Sequence, residues 1–151
     1  MTEKATRERV NPEKIDTTPI RRPDWIKVRA PSGETYRWLK ELMQRKELHT
    51  VCEEANCPNM GECWGSGTAT FLVLGDICTR RCGFCDVKRG APLPLDEEEP
   101  ERVAQAVKAM ELKHAVITSV DRDDNILGGA RIFARIIRRI HEEVPDCSVE
   151  V

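Results

Sequence analysis

From residue 70 onward, apolar positions alternate between short continuous runs and longer stripes with helical spacing. "TFLVLG" (70–75) and "HAVITSV" (114–120) are uninterrupted runs of strand length, as parallel strands covered on both faces tend to be, and "CSVEV" (147–151) opens a third. Between them, "EEEPERVAQAVKAMEL" (97–112) places Val103, Val107 and Met110 on one stripe and gathers its acids at the end where a helix dipole is positive. "GGARIFARIIRRIHEE" (128–143) turns Ile132, Phe133, Ile136, Ile137 and Ile140 inward. The order strand, helix, strand, helix, strand predicts a parallel α/β sheet with right-handed crossovers.

Upstream the pattern thins. Residues 1–20 are polar and unpatterned, the composition of a disordered tail. "RRPDWIKVRAPSGE" brings apolar anchors, and a helix is predicted from Gly33 to Arg45 with Ser32 as N-cap and Tyr36, Leu39 and Met43 on one face. The chain therefore divides into a tail (1–20), an extension (21–69) and the α/β run (70–151). A closed barrel of eight βα units needs about 250 residues. This chain stops inside a strand, so it is expected to be the N-terminal part of a longer protein.

Charge and composition narrow the function classes. The 151 residues carry a formal net charge of −2, with 33% charged and 40% hydrophobic, as in a globular protein of about one domain. There is no basic excess for a nucleic-acid partner, and the apolar runs are far too short to span a bilayer. The N-terminus has acids and no apolar h-region, unlike a secretory signal or a typical transit peptide. A cytoplasmic, reducing location is expected, without membrane or nucleic acid as partner.

That expectation gives weight to seven cysteines, because clustered thiols in a reducing compartment more often bind metal or catalyse than form disulfides. Six lie in two short segments. Cys78, Cys82 and Cys85 form CxxxCxxC in "CTRRCGFC". Gly83 and the strand leading directly in favour a loop over a helix face. Soft thiolates point to an iron–sulfur cluster or zinc; three ligands with a four-residue step favour the cluster, with zinc and inert thiols as alternatives. Three thiolates on a four-iron cluster leave one iron open for chemistry. Loops after strands are also where α/β barrels place their active sites. Cys52, Cys57 and Cys63 form CxxxxCxxxxxC, which matches no common zinc or ferredoxin spacing; a metal site and unligated thiols both stay open on spacing alone. His49 is a nearby candidate ligand but reads more simply as a surface or capping residue. Cys147, alone before the third strand, reads as a small buried hydrophobe.

CxxxCxxC with Phe84 before its last cysteine resembles the signature of radical S-adenosylmethionine (SAM) enzymes. "LHTVCEEANCPNMGECW", "TATFLVLGDICTRRCGFCDV", "LKHAVITSVDRDD" and "RRPDWIKVRAPSGETY" together resemble the lipoyl synthase family, from about Arg21 to the end. The resemblance implies a partial (β/α) TIM-type barrel, of which this chain holds about two and a half βα units, behind a cluster-binding extension. It implies two 4Fe-4S clusters. Cys78, Cys82 and Cys85 hold the one whose open iron binds SAM, and its reduction releases a 5′-deoxyadenosyl radical. Cys52, Cys57 and Cys63 hold an auxiliary cluster that is consumed as the sulfur source. The implied reaction inserts sulfur at two unactivated carbons of an octanoyl chain on a carrier. No acid or base opens such C–H bonds near neutral pH, whereas a carbon radical abstracts the hydrogen atom.

The implied partners are an octanoylated lipoyl carrier domain or glycine cleavage H protein, an electron donor such as flavodoxin or ferredoxin, and an iron–sulfur delivery protein. No catalytic residue beyond the cluster ligands is implied. By the same resemblance Phe84, Ser119, Asp121 and Asp123 help hold SAM or shape its pocket, and Gly128 and Gly129 match a glycine-rich stretch near its methionyl group. Ser and Asp as turn formers, and the glycines as flexible lead-in to a helix, are the simpler alternatives. Arg80 and Arg81, between cluster ligands, either stabilise an anionic cluster or SAM carboxylate or face solvent. Arg131, Arg135, Arg138 and Arg139 read as a solvated helix face. Two departures stand out. Leu127 and Ile132 occupy positions where the family usually shows an acid and a histidine, and the family's fourth auxiliary ligand, a serine near the C-terminus, lies in a segment this chain lacks. The 151 residues alone are therefore not expected to complete the reaction.

Overall fold

The computed structural model describes residues 32–55, 57–65 and 68–151, with Pro23 and Lys27 upstream. The expected tail at 1–20 and most of "RRPDWIKVRAP" lie outside the described residues.

Helix α1 (Glu34–Arg45) buries Leu39, Leu42 and Met43, the face its spacing predicts. Its N-cap is Gly33 rather than Ser32, with no side-chain cap bond. The chain enters at φ 108°, a left-handed conformation that favours glycine, and this displaces the cap by one residue. Strand β1 (His49–Thr50) and helices α2 (Val51–Glu54) and α3 (Met60–Gly65) follow. None was expected, since two to six residues are too few for hydrophobic periodicity to register. A local signal for α2 was present in "TVCE": the Thr50 hydroxyl accepts the Glu53 N–H at 3.2 Å, half of a capping box.

The predicted alternation then appears: β2 (Thr70–Val73), α4 (Glu99–Ala109), β3 (His114–Ser119), α5 (Ile126–Glu143) and β4 (Ser148–Glu150). The sheet order is β1-β2-β3-β4. β2, β3 and β4 are parallel, with Val73 opposite Ser119 and His114 opposite Ser148, while β1 joins β2 antiparallel through His49 opposite Leu72. What is established is thus a mixed α/β sheet of four strands. The extension is joined to it by β1.

Boundaries shift for identifiable reasons. β2 stops at Val73 because Leu74 and Gly75 take φ 70° and 97°, which turn the chain out of the sheet. α4 starts at Glu99 rather than 97, with Pro100 in its first turn, where a missing N–H costs no helical bond. α5 begins at Ile126, two residues before the expected Gly128, because the Asn125 carboxamide accepts the Gly128 N–H at 2.9 Å. Gly128 and Gly129 are helical, not a lead-in loop.

Val103, Ala104, Ala106 and Val107 of α4 and Ile132, Ile136 and Ile140 of α5 join Phe71, Val73 and Ile117 of the sheet in one core. Phe133, Ile137 and Met110 are only half-buried. Burying each isoleucine contributes about 1.5–3 kcal/mol, so apolar contact is the main force holding α5. The arginine face of α5 is less free than expected. Arg131 and Arg135 both bind Glu97 and Arg139 binds Glu101, tying α5 to the α4 side, while Arg139 also binds Glu142 within α5. Arg138 is exposed, as expected. Cys147 is 2% exposed in the core, and burial pushes its thiol up.

Candidate functional site

The turn after β2 sets the site. Leu74 at φ 70° is strained for a residue with a side chain and must be held by its surroundings. Its N–H donates to Glu99 Oε2 at 3.0 Å, and its carbonyl accepts from Arg122 NH1 at 2.9 Å. Glu99 and Arg122 are both buried, at 6% and 7% exposure. Burial pushes the Glu99 carboxyl up, opposed by hydrogen bonds from Leu74 and Gly75. Arg122 also donates to the Leu93 carbonyl at 2.8 Å and grips both oxygens of Asp124. One guanidinium thus joins the β2 turn, the segment before α4 and the β3–α5 loop.

From this turn the chain enters the CxxxCxxC loop, which is a loop as its glycine implies. It closes on itself: the Cys78 N–H donates to the Lys88 carbonyl at 2.8 Å and the Gly90 N–H to the Cys78 carbonyl at 3.1 Å. Arg89 donates to the carbonyls of Cys82 and Cys85, and the Cys85 N–H to the Cys82 carbonyl, which fixes the turn between those two thiols. Cys78 and Cys85 are half-buried and Cys82 is exposed. Phe84, expected to help hold SAM, is 95% exposed.

The loop is tied to the segment after β3. The Thr79 N–H and hydroxyl both donate to the Asp121 carbonyl, and the Asp121 N–H reaches Cys78 Sγ at 3.3 Å. The Arg80 N–H reaches the same sulfur at 3.4 Å, so two donors converge on one thiol, an arrangement that suits an anionic cluster ligand. The Arg80 side chain, 59% exposed, pairs with acids of the segment after β3. It makes two hydrogen bonds to Asp123 at 2.7 and 3.0 Å and lies 3.2 Å from Asp121. The Arg80 bond, aided by Thr79, lowers the Asp123 pKa to about 2. Arg81 is exposed.

An open cleft of about 410 Å³ lies along these residues, lined by Arg80, Ser119, Asp121, Asp123, Asn125 and Gly129 among others. Ser119 and both acids therefore share one cleft. None of the three caps α5, a task that falls to Asn125. A Cβ at Gly128 would lie 2.5 Å from Asn125 Oδ1 and Leu95 Cδ1, so one of these side chains would have to shift to admit it. Leu127 is 84% exposed and Ile132 is core, so neither departure from the family pattern places a polar group in the cleft.

Cys52, Cys57 and Cys63 are all half-buried in the α2–α3 segment. Their backbones are fixed by Cys57 N–H to the Cys52 carbonyl, Met60 N–H to the Cys57 carbonyl and Thr68 N–H to the Cys63 carbonyl. Beside Cys63, Trp64 is fully buried against Tyr36, with ring centroids 5.2 Å apart, and its indole N–H has no partner among the described residues. The donors drawn closest together among the described residues are not the thiols but His49, Glu54 and Asp76.

Thr79, Arg89, Glu99 and Arg122 were not singled out from sequence. Arg122, flanked by acids in "DRDD", carried a weak signal; nothing in "EEEP" marks which acid turns inward.

A thiol loop at the end of a parallel strand, bonded to the next strand's loop and edged by an open cleft, defines a class. Residues 72–151 match the radical SAM superfamily model, and the chain belongs to that superfamily. Residues 2–57 match the N-terminal domain of lipoyl synthase of the radical SAM family. The chain is 60% identical over 142 residues to lipoyl synthase of Chloroflexus aggregans, covering 94% of this chain and 46% of the relative. It is 62% identical over 130 residues to that of Rubrobacter xylanophilus (86% and 40%) and 55% identical over 141 residues to that of Methylococcus capsulatus (93% and 44%). The chain thus spans less than half the length of these relatives. Among the described residues no helix is long and apolar enough to cross a membrane.

Proposed function

We propose that this chain is the N-terminal portion of a lipoyl synthase, which inserts sulfur at two unactivated carbons of a carrier-bound octanoyl chain. Cys78, Cys82 and Cys85 would hold the cluster that binds SAM, and Cys52, Cys57 and Cys63 an auxiliary 4Fe-4S cluster that gives up sulfur. When bound, the clusters and SAM supply the radical chemistry and the sulfur atoms. The chain's own contribution is to hold the thiols, exclude water and present the cleft beside Cys78. Ser119, Asp121 and Asp123 would line the SAM site. Phe84, being exposed, would act there only by covering a bound ligand.

The observation that supports this reading best is the presence of two separate three-thiol sets, one on the loop after β2 and one on the α2–α3 segment beside it. One set generates a radical in many chemistries; two separate sets suit a reaction that also consumes a cluster. On this reading the four strands begin a partial (β/α) barrel, with 21–69 as its cluster-binding extension. The partners are an octanoylated carrier domain or H protein, a flavodoxin or ferredoxin, and a cluster-delivery protein, in the cytoplasm.

The test uses anaerobically reconstituted protein from the complete reading frame. Replacing Cys78, Cys82 and Cys85 with Ala is expected to abolish SAM cleavage. Replacing Cys52, Cys57 and Cys63 is expected to spare SAM cleavage and stop sulfur insertion. Loss of both activities, or of neither, in the second variant contradicts the division of labour.

A further inference from the structure

A charge cluster links the two cysteine segments without using either thiol set. Glu54 ends α2 two residues after Cys52, Asp76 lies two residues before Cys78, and Lys88 follows Cys85 by three. Lys88 Nζ is 2.8 Å from Asp76 Oδ2 and 3.5 Å from Glu54 Oε2, while His49 Nδ1 is 3.5 Å from Glu54 Oε1. Ligand atoms of His49, Glu54 and Asp76 all lie within 4.8 Å of one another, close enough to surround a cation. The cation at these carboxylates is the Lys88 ammonium. Without it, two neighbouring carboxylates would repel. Glu54 and Asp76 are 14% and 28% exposed at the side chain, so their attraction for Lys88 is less screened than that of a fully solvated pair. The base beneath them is fixed, because His49 pairs with Leu72 across β1 and β2.

We propose that Lys88 is a positioning residue that holds the segment carrying Cys52 against the loop carrying Cys78, Cys82 and Cys85, and so sets the separation of the two thiol sets. The inference rests on the two-cluster reading above. Sulfur transfer to a substrate carbon radical needs contact distance, and small misplacements are costly in such steps. SAM cleavage needs only the loop. A looser tie therefore lowers sulfur inserted per SAM cleaved, not SAM cleavage itself.

The test compares Lys88→Met, Lys88→Arg and Glu54→Gln in protein from the complete reading frame. Lys88 is 63% exposed at the side chain, so its replacement leaves the core intact. In iron-free protein, amide hydrogen exchange at residues 51–55 is expected to quicken about two- to fivefold in Lys88→Met and Glu54→Gln, as for loss of a partly screened ion pair, and to stay near wild type in Lys88→Arg. In reconstituted protein, 5′-deoxyadenosine released per sulfur inserted should at least double in Lys88→Met. Unchanged exchange in Lys88→Met overturns the tie, and faster exchange with an unchanged product ratio overturns its positioning role. If wild-type protein cleaves no SAM, the functional reading fails on its own, while the iron-free exchange data still decide whether Lys88 joins the segments.

Discussion

Arg122→Met is the sharpest perturbation of the turn that aims the cluster loop. Methionine keeps much of the buried stem and removes the guanidinium. The Leu74 carbonyl, bonded to Arg122 at 2.9 Å, is then left without its buried donor. An unpaired buried acceptor costs about 1–3 kcal/mol. The Leu93 carbonyl and Asp124 reach water more readily and add less. At about 2–4 °C per kcal/mol for a chain of this size, the fall in melting temperature is about 2–12 °C. The assay is thermal and urea unfolding followed by circular dichroism, with Arg138→Met as control. Arg138 is exposed on α5, and its loss is expected to stay within about 0.5 kcal/mol. Amide exchange at Gly75 and Asp76 should quicken in Arg122→Met alone, because Leu74 at φ 70° would no longer be held. Equal unfolding of the two variants would refute the reasoning.

The Asp123 carboxyl, held by Arg80, should titrate at about 2 instead of the ordinary 3.8, and Arg80→Met should return it toward 3.8, both read from side-chain carboxyl shifts by NMR. Because the folded value is depressed, the Arg80–Asp123 link is at full strength above 3.8 and is lost as pH falls toward 2. Gly128→Ala puts a Cβ 2.5 Å from Asn125 Oδ1 and Leu95 Cδ1, so the cap must break or Leu95 must move, at about 1–3 kcal/mol in urea unfolding. Gly90→Ala, with its nearest contact at 3.4 Å, should be close to neutral, and equal costs at both glycines would count against the packing described.

Much of this molecule was legible because its long elements bury continuous apolar surface. Val103 and Val107, and Ile132, Ile136 and Ile140, sit in the core their spacing predicts. The glycine in "CTRRCGFC" correctly marked a loop. Pattern failed where single backbone bonds decide: β1, α2 and α3 are too short for periodicity, and the start of α5 depends on one Asn125 carboxamide. It also does not say which charges turn inward, as Glu99 and Arg122 do, or which partners exposed charges find. Arg80 reads as either a counter-ion or a solvated residue; it is 59% exposed and pairs with Asp121 and Asp123 across a sequence gap of some 40 residues. The arginines of α5 are the partly solvated face their spacing predicts, but their ion pairs with Glu97 and Glu101 lie outside that helix. Such pairings are tertiary facts that no local spacing encodes.

The central claim is that two independent thiol sets each hold a cluster. Iron analysis after anaerobic reconstitution tests it most directly, using protein from the complete reading frame, the variant lacking Cys52, Cys57 and Cys63, and the variant lacking Cys78, Cys82 and Cys85. The account predicts about eight irons per chain in the parent and about four in each variant. Stoichiometric zinc in place of iron, or loss of all iron from either variant, would contradict it.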